Sequence, residues 1–110
     1  MEFEHLLAKS KKPDEPWTNS MSLPGHLCDV YNAAIKILDS TGDNQLHALG
    51  LPVGSYRDRF RKIVLLSALV HDLGKANDHF QGMIHGWRDV RINPQGIRHE
   101  WVTVLMLKHL

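Results

Sequence analysis

Cysteine is almost missing. Cys28 stands alone, so no disulfide can close within the chain, and the expected setting is a reducing cytoplasm. Long apolar runs are missing as well: the longest, Ile63 to Val70 with Ser67 inside it, is far shorter than the ~20 residues that cross a bilayer. No membrane span is expected. The opening Met-Glu-Phe-Glu-His has no basic region ahead of an apolar core, so it is not a secretory signal. Neither sign of charge dominates, with 13 Lys and Arg against 12 Asp and Glu and a net charge of +1. A generic nucleic-acid binder is excluded, because counterion release needs clustered positive charge. The local groups Arg57, Arg59, Arg61, Lys62 and Lys9, Lys11, Lys12 read first as a solvated helix face and a charged loop. No internal repeat, low-complexity tract or Gly-x-x-x-x-Gly-Lys-Ser/Thr loop occurs, so these residues encode no nucleotide-driven motor.

What is present suits one folded domain: 110 residues, 43% hydrophobic and 23% charged. The pattern is helical throughout and predicts an all-α fold. Residues 2–9 read as a short helix, ended by the polar, proline-containing stretch 11–16. Ser22 with Pro24 offers a cap and a first-turn proline for a helix over about 26–40, broken by Thr41-Gly42-Asp43-Asn44. Residues 46–52 read as a loop or short turn. A second long helix is predicted over 56–73, stopping at Gly74 in a left-handed C-terminal position. A short helix follows over 76–84, then a loop over 86–96, and a final helix from Ile97 to the last residue.

The chain also has eight histidines, and helical spacing sorts them. His26, Val30, Ala33 and Ile37 share one face of the first long helix. Phe60, Val64, Ser67 and His71 repeat that arithmetic in the second, with Asp72 on the neighbouring row after Leu65 and Ala68. His99, Val102, Met106 and Leu110 share a face of the last. Three helices thus each end an apolar, core-facing stripe on a histidine. One such histidine alone reads as a hydrogen-bonded core residue. Three, with an adjacent aspartate, suit a borderline divalent metal, and a carboxylate has the two oxygens needed to bridge two ions.

These residues carry a resemblance. His26, then Val70-His71-Asp72-Leu73-Gly74-Lys75-Ala76 with Phe80-Gln81, then Arg98-His99-Glu100, resemble the HD superfamily of metal-dependent phosphohydrolases. Leu7-Ala8-Lys9-Ser10, His26-Leu27 and Asp29-Val30 narrow it to the Cas3-type HD nuclease domain of the CRISPR system. The resemblance implies an HD-like helical bundle in which His26, His71 and Asp72 hold one divalent metal. Asp72 would bridge to a second ion that His99 helps to bind. Lys75 would contact a phosphate or the attacking water, or else serve as a charge at a helix C-terminus. Asp72 and Lys75 are then the catalytic pair. His and Asp ligands suit iron, nickel, cobalt, manganese or zinc, and magnesium stays open. Glu100 reads as a partner of His99 or as a first-turn acid, and His79, His85 and Trp87 receive no role.

The implied substrate is single-stranded DNA in antiviral defence. The implied partners are a helicase module, in cis or in trans, and a guide-RNA surveillance complex. The family's later ligands, a His-His pair and a distal aspartate, have no counterpart before Leu110. The expectation is therefore a single HD domain over residues 1–110 that is incomplete at its C-terminal end. Two other readings stay open: an HD phosphohydrolase acting on nucleotides, and a non-catalytic metal-binding remnant.

Overall fold

A computed structural model describes residues 6–85 and 98–109. Among these the fold is all-α, with four α-helices, two 3-10 turns and one isolated bridge between Leu7 and Ser22. The short helix expected over 2–9 is not formed by its described residues. Leu7 instead forms an antiparallel bridge with Ser22, with Ala8 N donating to Met21 O at 2.8 Å and Leu23 N to Leu6 O at 2.6 Å. The expected loop over 86–96, Trp87 within it, and Leu110 lie outside the described residues.

Helix α1 spans Leu23–Ala48 and starts as its cap signals require. Ser22 Oγ accepts from Gly25 N at 3.0 Å and donates to Asn19 O at 2.7 Å, and Pro24 occupies the first turn, where its missing N–H costs nothing. His26 is thereby fixed one turn into the helix.

The helix does not break at Thr41-Gly42-Asp43-Asn44. Thr41 Oγ1 donates back to Ile37 O at 2.9 Å and Ser40 Oγ to Lys36 O at 3.0 Å, so these hydroxyls join the helix instead of competing with it. A helical glycine costs only about 1 kcal/mol against alanine. Packing against the next helix outweighs that, and Leu38, Gly42 and Leu46 are buried. The real stop is Gly50, at φ +72°. Its N–H reaches His47 O at 2.9 Å and the Leu51 N–H reaches Leu46 O at 3.0 Å, the paired bonds of a Schellman ending.

Gly42 lies inside a helix, and an added Cβ would meet only the Leu38 side chain, at 3.5 Å, an ordinary contact. Gly42→Ala is therefore expected to stabilise the protein by ~0.5–1 kcal/mol, chiefly by restricting the unfolded chain. Thermal melting should show a higher midpoint; a lower one would mean that the packing beside Gly42 leaves no room for a methyl group.

Helix α2 spans Val53–Val70 and returns antiparallel to α1. Arg57 grips Asp43 with two bonds, of 2.9 and 2.8 Å, and Arg61 reaches Asp39 at 2.8 Å. Both pairs are exposed and screened by water, so they set the register of the hairpin more than its stability. They also engage two members of the basic cluster within the fold. Helix α2 ends at Val70, three residues before the expected stop, and Gly74 is not left-handed. It sits in a 3-10 turn, Leu73–Ala76, followed by α3 (Asp78–His85) and α4 (His99–Lys108).

A small core gathers around this turn: Ala8, Met21, Leu23, Ala68 and Phe80 are buried, as is the Thr103 side chain of α4. The stripes of α1 and α4 meet that core only near their histidines: farther along, Ala33 is exposed, Ile37 is 56% exposed and Met106 42%. On α2 the order is reversed, with His71 and Ser67 exposed and Val64 and Phe60 half-buried against α1. Ile63 and Leu66 on α2, and Trp101, Val104 and Leu105 on α4, also face outward. The stripes predict the direction of each histidine, not burial along the whole helix. No described helix is long and apolar enough to cross a membrane.

Candidate metal centre

Each candidate ligand stands at or near the end of a helix: His26 in the first turn of α1, His71 just past α2, Asp72 ahead of the 3-10 turn and His99 as the first residue of α4. Side chains at helix ends can converge without obstruction by neighbouring turns. They converge on Asp72. Its Oδ2 lies 3.1 Å from His26 Nε2, 3.2 Å from His71 Nε2 and 3.0 Å from Lys75 Nζ. Its Oδ1 lies 3.4 Å from His99 Nε2. Donor atoms of His26, His71 and Asp72 all fall within 4.8 Å of one another. All five residues singled out in the sequence are thus brought together.

His71 Nδ1 lies 2.7 Å from Ala68 O, and a carbonyl can only accept, so Nδ1 carries a proton. In the neutral ring Nε2 then presents its lone pair toward Asp72, as in the outer-shell bonds that orient ligating histidines. A lone pair facing a carboxylate oxygen is stabilised by a cation shared between them. The donor set fits such an ion: imidazole nitrogens and an oxygen anion, the ligands of borderline divalent metals.

Asp72 is 9% exposed. Burial pushes its carboxyl pKa up, but the Lys75 hydrogen bond and charge lead the interactions that outweigh burial and hold it below the usual range. The carboxylate is therefore ionised at neutral pH and needs no deprotonation before binding a cation.

Lys75 is more than a charge near a helix end. Its ammonium lies between Asp72 and the Ala8 carbonyl, 3.3 Å away, and 5.6 Å from the centre of the Phe80 ring. The Phe80 and His99 rings also meet in a T-shaped pair, at 5.3 Å between centroids. Glu100 has both roles left open by the sequence: it pairs with Arg98 at 3.0 Å in the first turn of α4 and lies 3.7 Å from His99 Nε2.

Sequence reasoning missed what seats α4. Gly74 N donates to Thr103 Oγ1 at 2.7 Å, and that hydroxyl donates to His99 O at 3.0 Å. A Cβ on Gly74 would overlap the His99 carbonyl oxygen and come within 2.6 Å of Thr103 N. Glycine is needed here for close approach, not for a left-handed turn. Nothing in the spacing signals Thr103, which looks like one more residue of an apolar helix.

Comparison with known proteins assigns the family. The sequence model described as Cas3, HD domain matches residues 7–110. The chain belongs to the Cas3 HD-domain family. A relative from Myxococcus xanthus (strain DK1622), named as a CRISPR-associated nuclease/helicase Cas3, is 43% identical over 103 residues. That match covers 93% of this chain and 13% of the relative, so the chain spans about an eighth of that protein's length. No solved structure gives a significant match. The HD-domain family is metal-dependent, and in this Cas3 HD domain the cluster of His26, His71 and Asp72 supplies a donor set suited to a metal.

Proposed function

We propose that this domain is the metal-dependent endonuclease part of a CRISPR-associated nuclease-helicase, cutting single-stranded DNA in antiviral defence. One observation carries the reading: Asp72 has imidazoles on both oxygens, His26 and His71 toward Oδ2 and His99 toward Oδ1. A carboxylate so flanked is disposed to bridge two cations. His26 and His71 would hold one ion and His99 would help to hold the other. Bound divalent ions at such a site polarise a phosphodiester, supply a strong nucleophile at neutral pH and offset charge on the leaving oxygen.

The chain's own groups serve that chemistry by preorganisation. The Ala68 carbonyl fixes the His71 tautomer, Thr103 holds the start of α4 and with it His99, and Lys75 places a positive charge beside the site. A positive charge held beside the site favours the negative charge that develops on phosphate oxygens. The exposed apolar faces of α2 and α4 support a domain in which further helices, and the family's later ligands, pack over these residues. The name of the Myxococcus relative supports a helicase module in the same polypeptide, with recruitment by a guide-RNA complex in the cytoplasm as the remaining parts of the proposal.

The test compares cleavage of labelled single-stranded DNA by this chain and by one extended to the next His-His pair and aspartate, with manganese, nickel or cobalt added. Cleavage by the longer chain, abolished by Asp72→Ala, is the expected result. Hydrolysis of free nucleotides without DNA cleavage would transfer the site to the nucleotide phosphohydrolases. No reaction in either assay would leave a metal-binding remnant.

A further inference from the structure

We infer that Gln81 is the positioning residue that governs how Lys75 shares Asp72 with a bound metal; this rests on the metal-centre reading above. Gln81, in α3, is only 5% exposed, and its carboxamide makes three bonds. Oε1 accepts from Leu7 N at 2.9 Å, while Nε2 donates to Leu7 O at 2.9 Å and to Lys75 O at 2.7 Å. Both amide hydrogens are used. Toward Leu7 the side chain offers the donor and acceptor of a peptide group, so it stands in for a neighbouring β-strand. The other edge of the same segment is taken by Met21 and Leu23, through Ala8 N to Met21 O at 2.8 Å and Leu23 N to Leu6 O at 2.6 Å. Leu6 to Ala8 is thus held along both edges.

The consequence reaches the site through Lys75. Gln81 fixes the Lys75 backbone directly. Through Leu7 it also fixes the neighbouring Ala8 carbonyl, one of the two hydrogen-bond acceptors placed around the ammonium. The other is Asp72 Oδ2, the oxygen that His26 and His71 also approach. A metal on Oδ2 would stand close to the ammonium, and although that oxygen has two lone pairs, repulsion between the two cations drives the ammonium outward. The Lys75 side chain is only 15% exposed, so it needs a ready acceptor as it withdraws, and the Ala8 carbonyl is that acceptor. Gln81 keeps it in place. Without the clamp the ammonium stays on Asp72 and competes with the metal.

The experiment is a double-mutant cycle on Co2+ affinity in the full chain, read by titration and by the visible spectrum of the bound ion. Gln81→Met should weaken Co2+ binding by about tenfold to a hundredfold, the range for loss of an outer-shell partner. In a Lys75→Met background, which removes the competing ammonium, the same Gln81 substitution should change affinity by less than about twofold. A merely structural Gln81 would weaken binding equally in both backgrounds, and that result would overturn its assigned role alone. Failure of the wild type to bind Co2+ at all would overturn the metal-centre reading and this one with it.

Should Gln81→Met fail to fold, hydrogen exchange at the Leu7 and Ala8 amides gives a second measurement on soluble protein. Added Co2+ should slow exchange in the wild type, as the ammonium settles on the Ala8 carbonyl, and should leave it unchanged in Lys75→Met. Exchange indifferent to Co2+ in both would overturn the inference.

Discussion

Gly74→Ala is expected to unseat α4 and to destabilise the protein by about 3 kcal/mol or more. The methyl group would overlap the His99 carbonyl and crowd Thr103 N, both backbone atoms that no rotamer change can move aside. The start of α4 must then withdraw from the turn. The Gly74 N–H loses its bond to the Thr103 hydroxyl inside a buried site, where an unmet donor costs about 1–3 kcal/mol alone. His99 moves with α4, so the substitution should also weaken metal binding although it changes no ligand. Thermal melting and metal titration of the one variant measure both effects. Its sign is opposite to that expected for Gly42→Ala, a buried glycine whose added methyl makes only ordinary contact. An unchanged melting point with unchanged metal affinity would refute the account of how α4 is held.

Asp72→Asn should lower divalent-metal affinity by more than about a hundredfold, beyond what an outer-shell change costs. The amide keeps the shape of the side chain and removes its charge. His26, His71, His99 and Lys75 would then surround a neutral group, without the anion that draws a cation to them. Lys75 also loses its ionic partner at a largely buried position, so a modest fall in melting temperature should accompany the lost metal. His47→Ala is the matched control, since His47 is an exposed residue in the last turn of α1. Elemental analysis of the purified proteins after metal loading reads the difference. Equal metal content in the Asp72 and His47 variants would remove Asp72 from the centre.

Helical periodicity with the capping residues was enough to read the all-α fold, the start of α1 at Ser22 and Pro24, and the direction of His26, His71 and His99. Each of these depends on residues within one or two turns of each other, where spacing and propensity act directly. The His-Asp pair and its neighbours were legible by resemblance, because the chemistry of a metal centre tolerates few residue types. Where long-range contacts compete with local preference, the sequence pattern misleads. Thr41 to Asn44 read as a break because their intrinsic helix preference is poor, yet pairing with α2 carries the helix on to Ala48. Gly74 read as a left-handed stop, whereas a helix from elsewhere in the chain presses on it. The stripes read as core along their whole length, but Ile37 and Met106 are exposed far from their histidines, and on α2 Ser67 and His71 are themselves exposed.

Local sequence therefore suffices for most of the helices, for their histidine-bearing faces and for the identity of the chemical groups. Which atoms those groups touch depends on packing between elements distant in the chain. Gln81 reaches Leu7 across 74 positions, Lys75 reaches Ala8 across 67, and Gly74 meets Thr103 across 29. No local pattern records such pairings, because each bond forms only after separate elements have packed and the entropy of closing the chain between them has been overcome.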